Sequence, residues 1–239
     1  MAKITVGWMY PNLLNLHGER GSVQAFAEIG QQLGVDVEIL RIEDFDDPIP
    51  FEKLDIMIFL PGEISTFKYL IPALQTQQLQ DYLEHGGYLI AIGNSGLMFG
   101  TSILREDRST VKGLGYLDMT AKERKFVWGD DLHIKLSDTQ LELIGSQIQM
   151  ADVNAKNTLG TTLYGMGNNN TGAEGARYKN LIYTNCLGPL FVKNPWFAEQ
   201  IIKEILKAKG IEISKSGYYP LAENAFKSTL AFIQNKPKK

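Results

Sequence analysis

Tyr88-Leu89-Ile90-Ala91-Ile92-Gly93-Asn94-Ser95-Gly96-Leu97-Met98-Phe99-Gly100 is a short apolar strand, a tight glycine-containing turn and an apolar, helix-like start. An unbroken apolar run of this length suits a strand covered on both faces. The turn behind it has the geometry of a nucleophile elbow, which aims its side chain into a cleft beside helix-terminal N–H groups. A binding site is therefore expected at the carboxyl end of this strand.

Working back toward the start of the chain, Leu74 to His85 reads as a helix closed by Gly86-Gly87, and Asp55 to Leu60 as a buried strand ended by Pro61-Gly62. Lys3 to Met9 and Val35 to Arg41 are two more strands, joined by a helix over Ser22 to Leu33 that carries Val23, Phe26, Gly30 and Leu33 on one face. Gly34 stands ready to stop that helix. The order β-α-β-β-α-β predicts an α/β fold with a mostly parallel, helix-covered sheet.

Beyond Gly100 the strands become shorter and polar-flanked, as in Phe126 to Trp128 and Leu132 to Leu136. Gly165-Met166-Gly167-Asn168-Asn169-Asn170 is a loop on composition. Leu181 to Cys186 returns as a strand, a helix runs from Pro195 to Lys209, and another covers Ala222 to Gln234. With no repeat and no long linker, residues 1–234 are expected to form a single domain, followed by a frayed basic tail over 235–239.

The 239 residues are 44% hydrophobic and 21% charged, which describes a globular chain with a substantial core. No apolar run reaches the roughly 20 residues of a membrane-spanning helix, and the start lacks a signal peptide's apolar stretch. Membrane insertion is not expected, and the expected location is cytoplasmic. A formal charge of −3 leaves no basic footprint for nucleic acid. One cysteine, Cys186, and three scattered histidines predict neither a disulfide nor a metal site, and no cofactor is expected.

Three stretches carry a resemblance. They are Asn12 to Gly21, the strand Tyr88 to Ile92 with its elbow, and the run YGMGNNNTGAEGARYKNLIYTNCLGPLFVKN from Tyr164 to Asn194. In them the chain resembles the class I glutamine amidotransferases of the cobyric acid synthase (CobB/CobQ) type, and within these the GatD-type glutaminase subunits of lipid II isoglutaminyl synthase. Similar G-x-G-N-N, E-G-x-x-Y-K-N and H-G-P elements occur in the family in the same order. The resemblance implies a class I amidotransferase fold with helices on both faces of the sheet. It also implies glutamine hydrolysis by an elbow cysteine, with a histidine as general base and backbone N–H groups as oxyanion hole, and ammonia passed to a Mur-ligase-like amidoligase subunit.

The chain departs from that pattern where the chemistry sits. The family's I-C-G-G-x-Q falls on Ile92 to Leu97, placing Gly93 at the nucleophile position, and Leu187 stands where the family has its histidine. Pro61, in the stretch matching a triple-glycine loop, brings no N–H to an oxyanion hole. A family F-E-N-H-G-G-R-T segment, implied to contribute to substrate binding, falls on Gly145 to Asp152 with scarcely a match. Glu19 replaces an aspartate and, alone, has nothing to orient.

The sequence therefore predicts a pseudo-enzyme, a noncatalytic partner or regulator of an amidoligase in cell-wall precursor amidation. Two alternatives stay open: a hydrolase or amidotransferase using Ser95, which otherwise serves as a helix N-cap, and a small-ligand module. Gly62, Asn94 and Ser95 are the candidate ligand-binding residues, with Ser95 and Glu19 the weak catalytic candidates. Cys186 is expected to face away from the cleft and be inert. His17 is the only histidine expected near the cleft, and it makes an unconvincing base. Tyr164, Tyr178, Leu190 and Phe191 are candidates for a docking surface, with a core role as the alternative.

Overall fold

The computed structural model describes residues 2–45 and 48–236. The chain begins with β1 (Ala2–Met9), α1 (Arg20–Leu33), β2 (Val35–Ile42) and β3 (Ile56–Phe59). Gly34 ends α1 in the left-handed conformation at φ 77°, as its position in the sequence predicts. Two helices follow where one was expected, α2 (Phe67–Leu74) and α3 (Gln77–Glu84), separated at Thr76, whose hydroxyl caps α3 by accepting from the Leu79 N–H at 3.2 Å. Pro72 inside α2 is why the sequence conceals that helix, since proline ordinarily signals its end.

After β4 (Tyr88–Ile92) and a 3-10 turn over Gly93–Phe99 come β5 (Ser102–Leu104), β6 (Thr110–Lys112), β7 (Met119–Leu136), β8 (Glu142–Ala155), β9 (Gly160–Tyr164), β10 (Ala173–Glu174), β11 (Ala176–Tyr178) and β12 (Leu181–Thr184). The two short strands expected at Phe126 and Leu132 are parts of one 18-residue strand, β7, paired antiparallel with β8. A bulge between Glu123 and Trp128 interrupts the ladder, and this is what divides the pattern in the sequence. The chain closes with α4 (Leu190–Lys193), α5 (Pro195–Ala208) and α6 (Pro220–Gln234).

The first sheet runs β11-β12-β4-β3-β1-β2, parallel throughout except for β11. Its central strands β3 and β4 are wholly buried, which explains their continuous apolar runs. Helix α1 packs against β2, α4 and α5, and Phe26 meets Phe191 edge-on at 4.8 Å between ring centres. The second sheet runs β10-β9-β7-β5-β6, with β8 along β7. The sequence does not reveal this sheet. One hydrophobic cluster is continuous through both sheets. Of the tail expected to fray, residues 237–239 lie outside the described residues, and Lys236 pairs with Asp130 at 2.7 Å and Asp131 at 2.6 Å.

Candidate functional site

The carboxyl ends of β3, β4 and β12 converge, as the parallel order requires, and bring together Pro61-Gly62, the 93–99 turn and the segment after Thr184. The elbow is present. Gly93 takes φ 67°, a left-handed conformation that suits glycine better than any side-chain-bearing residue. A Cβ added there would lie 2.8 Å from the Pro61 ring and 3.3 Å from Leu187 Cδ2. The space in front of the elbow is thus occupied by a proline ring and a leucine, and all three residues are buried.

Asn94 closes the site from another side. Its Oδ1 accepts from the Gly62 N–H at 3.0 Å, and its Nδ2 donates to the Gly62 carbonyl, so both polar backbone groups of Gly62 are engaged by one carboxamide. The same Nδ2 lies 3.5 Å from the sulfur of Met150 on β8. Gly62 itself is wedged against Leu13 and Leu14, where an added Cβ would lie 2.4 Å from Leu14 Cδ2 and 2.7 Å from the Leu13 carbonyl oxygen.

Ser95 is fully buried, and its hydroxyl lies 3.0 Å from the Ile92 carbonyl and 3.1 Å from that of Phe59. It caps no helix: the cap position of the turn is Ile92, with no side-chain cap bond, and Ser95 instead bonds back onto the strand ends. That corrects the N-cap expectation. It also leaves the hydroxyl neither exposed nor beside a base.

Leu187 reaches the elbow because its backbone is clamped to β8: the Leu187 and Ser146 N–H groups each donate to the other's carbonyl at 2.8 Å. Cys186, one residue earlier, is fully buried, with its sulfur against Gly145. Burial pushes its thiol well above the ordinary range, and the nearby carboxylates of Glu174 and Glu19 push it in the same direction.

Glu19 does have something to hold, contrary to the expectation that it has nothing to orient. Its buried carboxylate accepts from the Ser22 hydroxyl at 2.8 Å, the Leu190 N–H at 3.2 Å and the Gly188 N–H. Burial raises its pKa, and these donors pull it partly back. Glu19 therefore fixes the loop that follows Leu187. His17 is exposed on the preceding turn, while His133 is buried against Glu142 at 2.8 Å and His85 bonds the Asp81 carbonyl at 2.7 Å.

The segment from Gly145 to Asp152 is part of β8. Its buried Gln147 donates to the Gly167 carbonyl at 3.0 Å and to Gln149 at 2.9 Å, and accepts from the Gly167 N–H at 3.1 Å. Asn168 likewise spans Gly175, donating to its carbonyl at 2.7 Å and accepting from its N–H at 3.1 Å. The glycine- and asparagine-rich loop is thus a pinned turn. Of the residues offered as docking anchors, Leu190 and Phe191 are fully buried core, and only Tyr164 and Tyr178 keep partial exposure. Tyr178, Lys179 and Asn180 instead tie the opposite end of the sheet, to Glu84 and the Gly86 carbonyl.

Sequence reasoning missed the mutual contact of Pro61, Gly93 and Leu187, although each residue was singled out separately. It also missed the Asn94–Gly62 pairing and the role of Met150. No local signal marks either, because each joins segments distant in the chain.

Among the described residues no cluster of three or more His, Cys, Asp or Glu side chains could hold a metal ion, and no helix is long and apolar enough to cross a membrane. No family model matches the chain. Two curated relatives span essentially all of it. The lipid II isoglutaminyl synthase (glutamine-hydrolyzing) subunit GatD of Streptococcus pneumoniae is 23% identical over 98% of this chain and 93% of its own length. Its namesake from Staphylococcus aureus is 25% identical over 100% and 99%. Among solved structures, a chain of PurLQS from Thermotoga maritima superposes with a TM-score of 0.57 at 13% identity, covering 87% of this chain and 99% of that one. A glutamine amidotransferase crystal structure gives 0.51 at 13% identity, over 86% and 99%. The chain is similar to the GatD subunits along its whole length, and its fold is that of the class I glutamine amidotransferases.

Proposed function

We propose that this chain is a GatD-like subunit of lipid II amidation that does not hydrolyse glutamine and instead acts as a noncatalytic partner or regulator of a Mur-ligase-like amidoligase. The observation that carries this is the packing of Pro61 and Leu187 onto Gly93. Acyl transfer from glutamine needs a nucleophile at the elbow, a base within hydrogen-bond reach and donors aimed at the developing oxyanion. At the elbow glycine has no nucleophilic atom, leucine moves no proton, proline has no N–H, and the Gly62 N–H is already bonded to Asn94.

Full-length similarity to proteins named as synthase subunits supports the association with a ligase and with peptidoglycan precursors. The buried, doubly engaged hydroxyl of Ser95 weighs against a serine hydrolase, and the filled space before Gly93 weighs against a ligand module at this place. A coupled ammonia assay on the chain, alone and mixed with the amidoligase subunit of the same genome, tests the proposal. Glutamate release at the buffer rate is expected in both cases. Saturable turnover that depends on this chain overturns it.

A further inference from the structure

The bulge in β7 places four residues, Arg124 to Val127, opposite the single residue Met150, because Glu123 pairs with Ala151 and Trp128 with Gln149. The surplus is pushed outward. Phe126 is 75% exposed and Val127 60% exposed at its tip. Folding of this chain leaves the burial of these two apolar side chains unrealised. Bulges re-aim side chains next to functional sites, and this one stands over the elbow, since Met150 beneath it touches Asn94.

The surroundings of the tip are basic on a chain of net charge −3. A groove of about 780 Å³ beside Phe126 is lined by five basic side chains, Arg108, Lys122 and Lys125 among them, and by three acidic ones, Glu106, Glu123 and Asp152. Arg105 is neutralised by Glu123 at 2.6 Å and Arg124 by Asp152 at 2.5 Å. Arg108, Lys122 and Lys125 are exposed and form no ion pair among the described residues, against one exposed carboxylate of the lining, Glu106, so the balance of charge at the groove is positive; the Lys125 Nζ also lies 5.5 Å from the centre of the Phe126 ring. Leu104, 40% exposed, lines the same groove and adds to its apolar surface. An apolar anchor beside a groove of net positive charge is complementary to an apolar pocket with an acidic rim.

We propose that the Lys125-Phe126-Val127 bulge is the docking element of this chain, seating Phe126 and Val127 in an acidic-rimmed apolar pocket of the partner amidoligase subunit. This rests on the proposed role as a ligase partner. It replaces the Tyr164 to Phe191 surface, two of whose four anchors, Leu190 and Phe191, are core.

The test uses the full chain and the amidoligase subunit of the same genome, titrated by calorimetry at several salt concentrations, with thermal melting of every variant as a fold control. Phe126→Ala combined with Val127→Ala is expected to weaken binding at least 10-fold without lowering the melting temperature. Lys122→Glu combined with Lys125→Glu is expected to weaken it at low salt and to flatten the salt dependence. Wild-type binding that both double variants retain overturns the docking element and leaves the ligase role standing. No wild-type binding overturns the ligase role and, with it, this assignment. Vesicles of phosphatidylglycerol that bind the chain through Phe126 while the ligase does not would reassign the bulge to a membrane surface.

Discussion

Leu187 faces Gly93 across the elbow, its Cδ2 3.3 Å from the point at which a side chain on residue 93 would begin. With the Pro61 ring at 2.8 Å from the same point, a side chain on residue 93 would have no open space to enter. Placing a thiol at residue 93 is therefore a packing problem before it is a catalytic one.

Gly93→Cys should destabilise the fold by about 1–3 kcal/mol, through overpacking and a side chain at positive φ. It should give no glutaminase activity. Pro61→Gly with Gly93→Cys and Leu187→His is the smallest combination expected to relieve the clash and supply a base, although Asn94 still occupies the Gly62 N–H. Urea denaturation and the coupled ammonia assay check both statements, and turnover by the single variant would show that another group already serves as base.

Glu19→Ala should cost about 3 kcal/mol, because it strands the Gly188 and Leu190 N–H groups and the Ser22 hydroxyl in a buried position. Glu19→Gln keeps one acceptor and should cost less than half of that. Urea midpoints rank the two, and equal costs would mean that bulk, not hydrogen bonding, is what residue 19 contributes.

Glu174 supplies a pH signature. Its carboxylate is fully buried, accepting from the Thr184 hydroxyl at 3.0 Å and the Asn185 N–H at 2.7 Å, and burial raises its pKa from 4.5 to about 7. The folded state thus holds this proton more tightly than the unfolded state. Its contribution is fully present below pH 4.5 and is lost as pH rises through about 7. At about 1.4 kcal/mol per pH unit the loss amounts to roughly 3 kcal/mol. Stability of the wild type relative to Glu174→Gln should therefore fall between pH 4.5 and 7. A pH-independent difference between the two denaturation curves would contradict it.

Phe191→Ala should cost roughly 3–5 kcal/mol, since the ring is fully buried between Phe26 and Phe197. Tyr178→Ala, which loses the bond to Glu84 and the packing of a partly exposed ring against the core, should cost less, about 1–2 kcal/mol. Chemical denaturation separates them, and similar costs would argue that the rim at Tyr178 is as tightly packed as the core.

The parallel half of the fold is written locally. Apolar runs over Ile56–Phe59 and Tyr88–Ile92, the α1 face and the stop at Gly34 are set by neighbours in the chain, and periodicity exposes them without a structure. The chemical identity of Gly93 and Leu187 is equally local. What those residues do to one another is not. The plug needs residues 61, 93 and 187 at one sheet end, the Glu19 clamp spans 169 residues to Gly188, and the Asn94–Gly62 pair spans 32. Likewise, Phe126 looks like part of an ordinary short strand until β8 supplies the register that makes Arg124 to Val127 a bulge. Sequence by itself determined the buried strands of the parallel sheet and that residue 93 carries no side chain. Only the tertiary structure decided what fills that space and what is thrust outward, because steric closure and strand register are properties of segments brought together by folding.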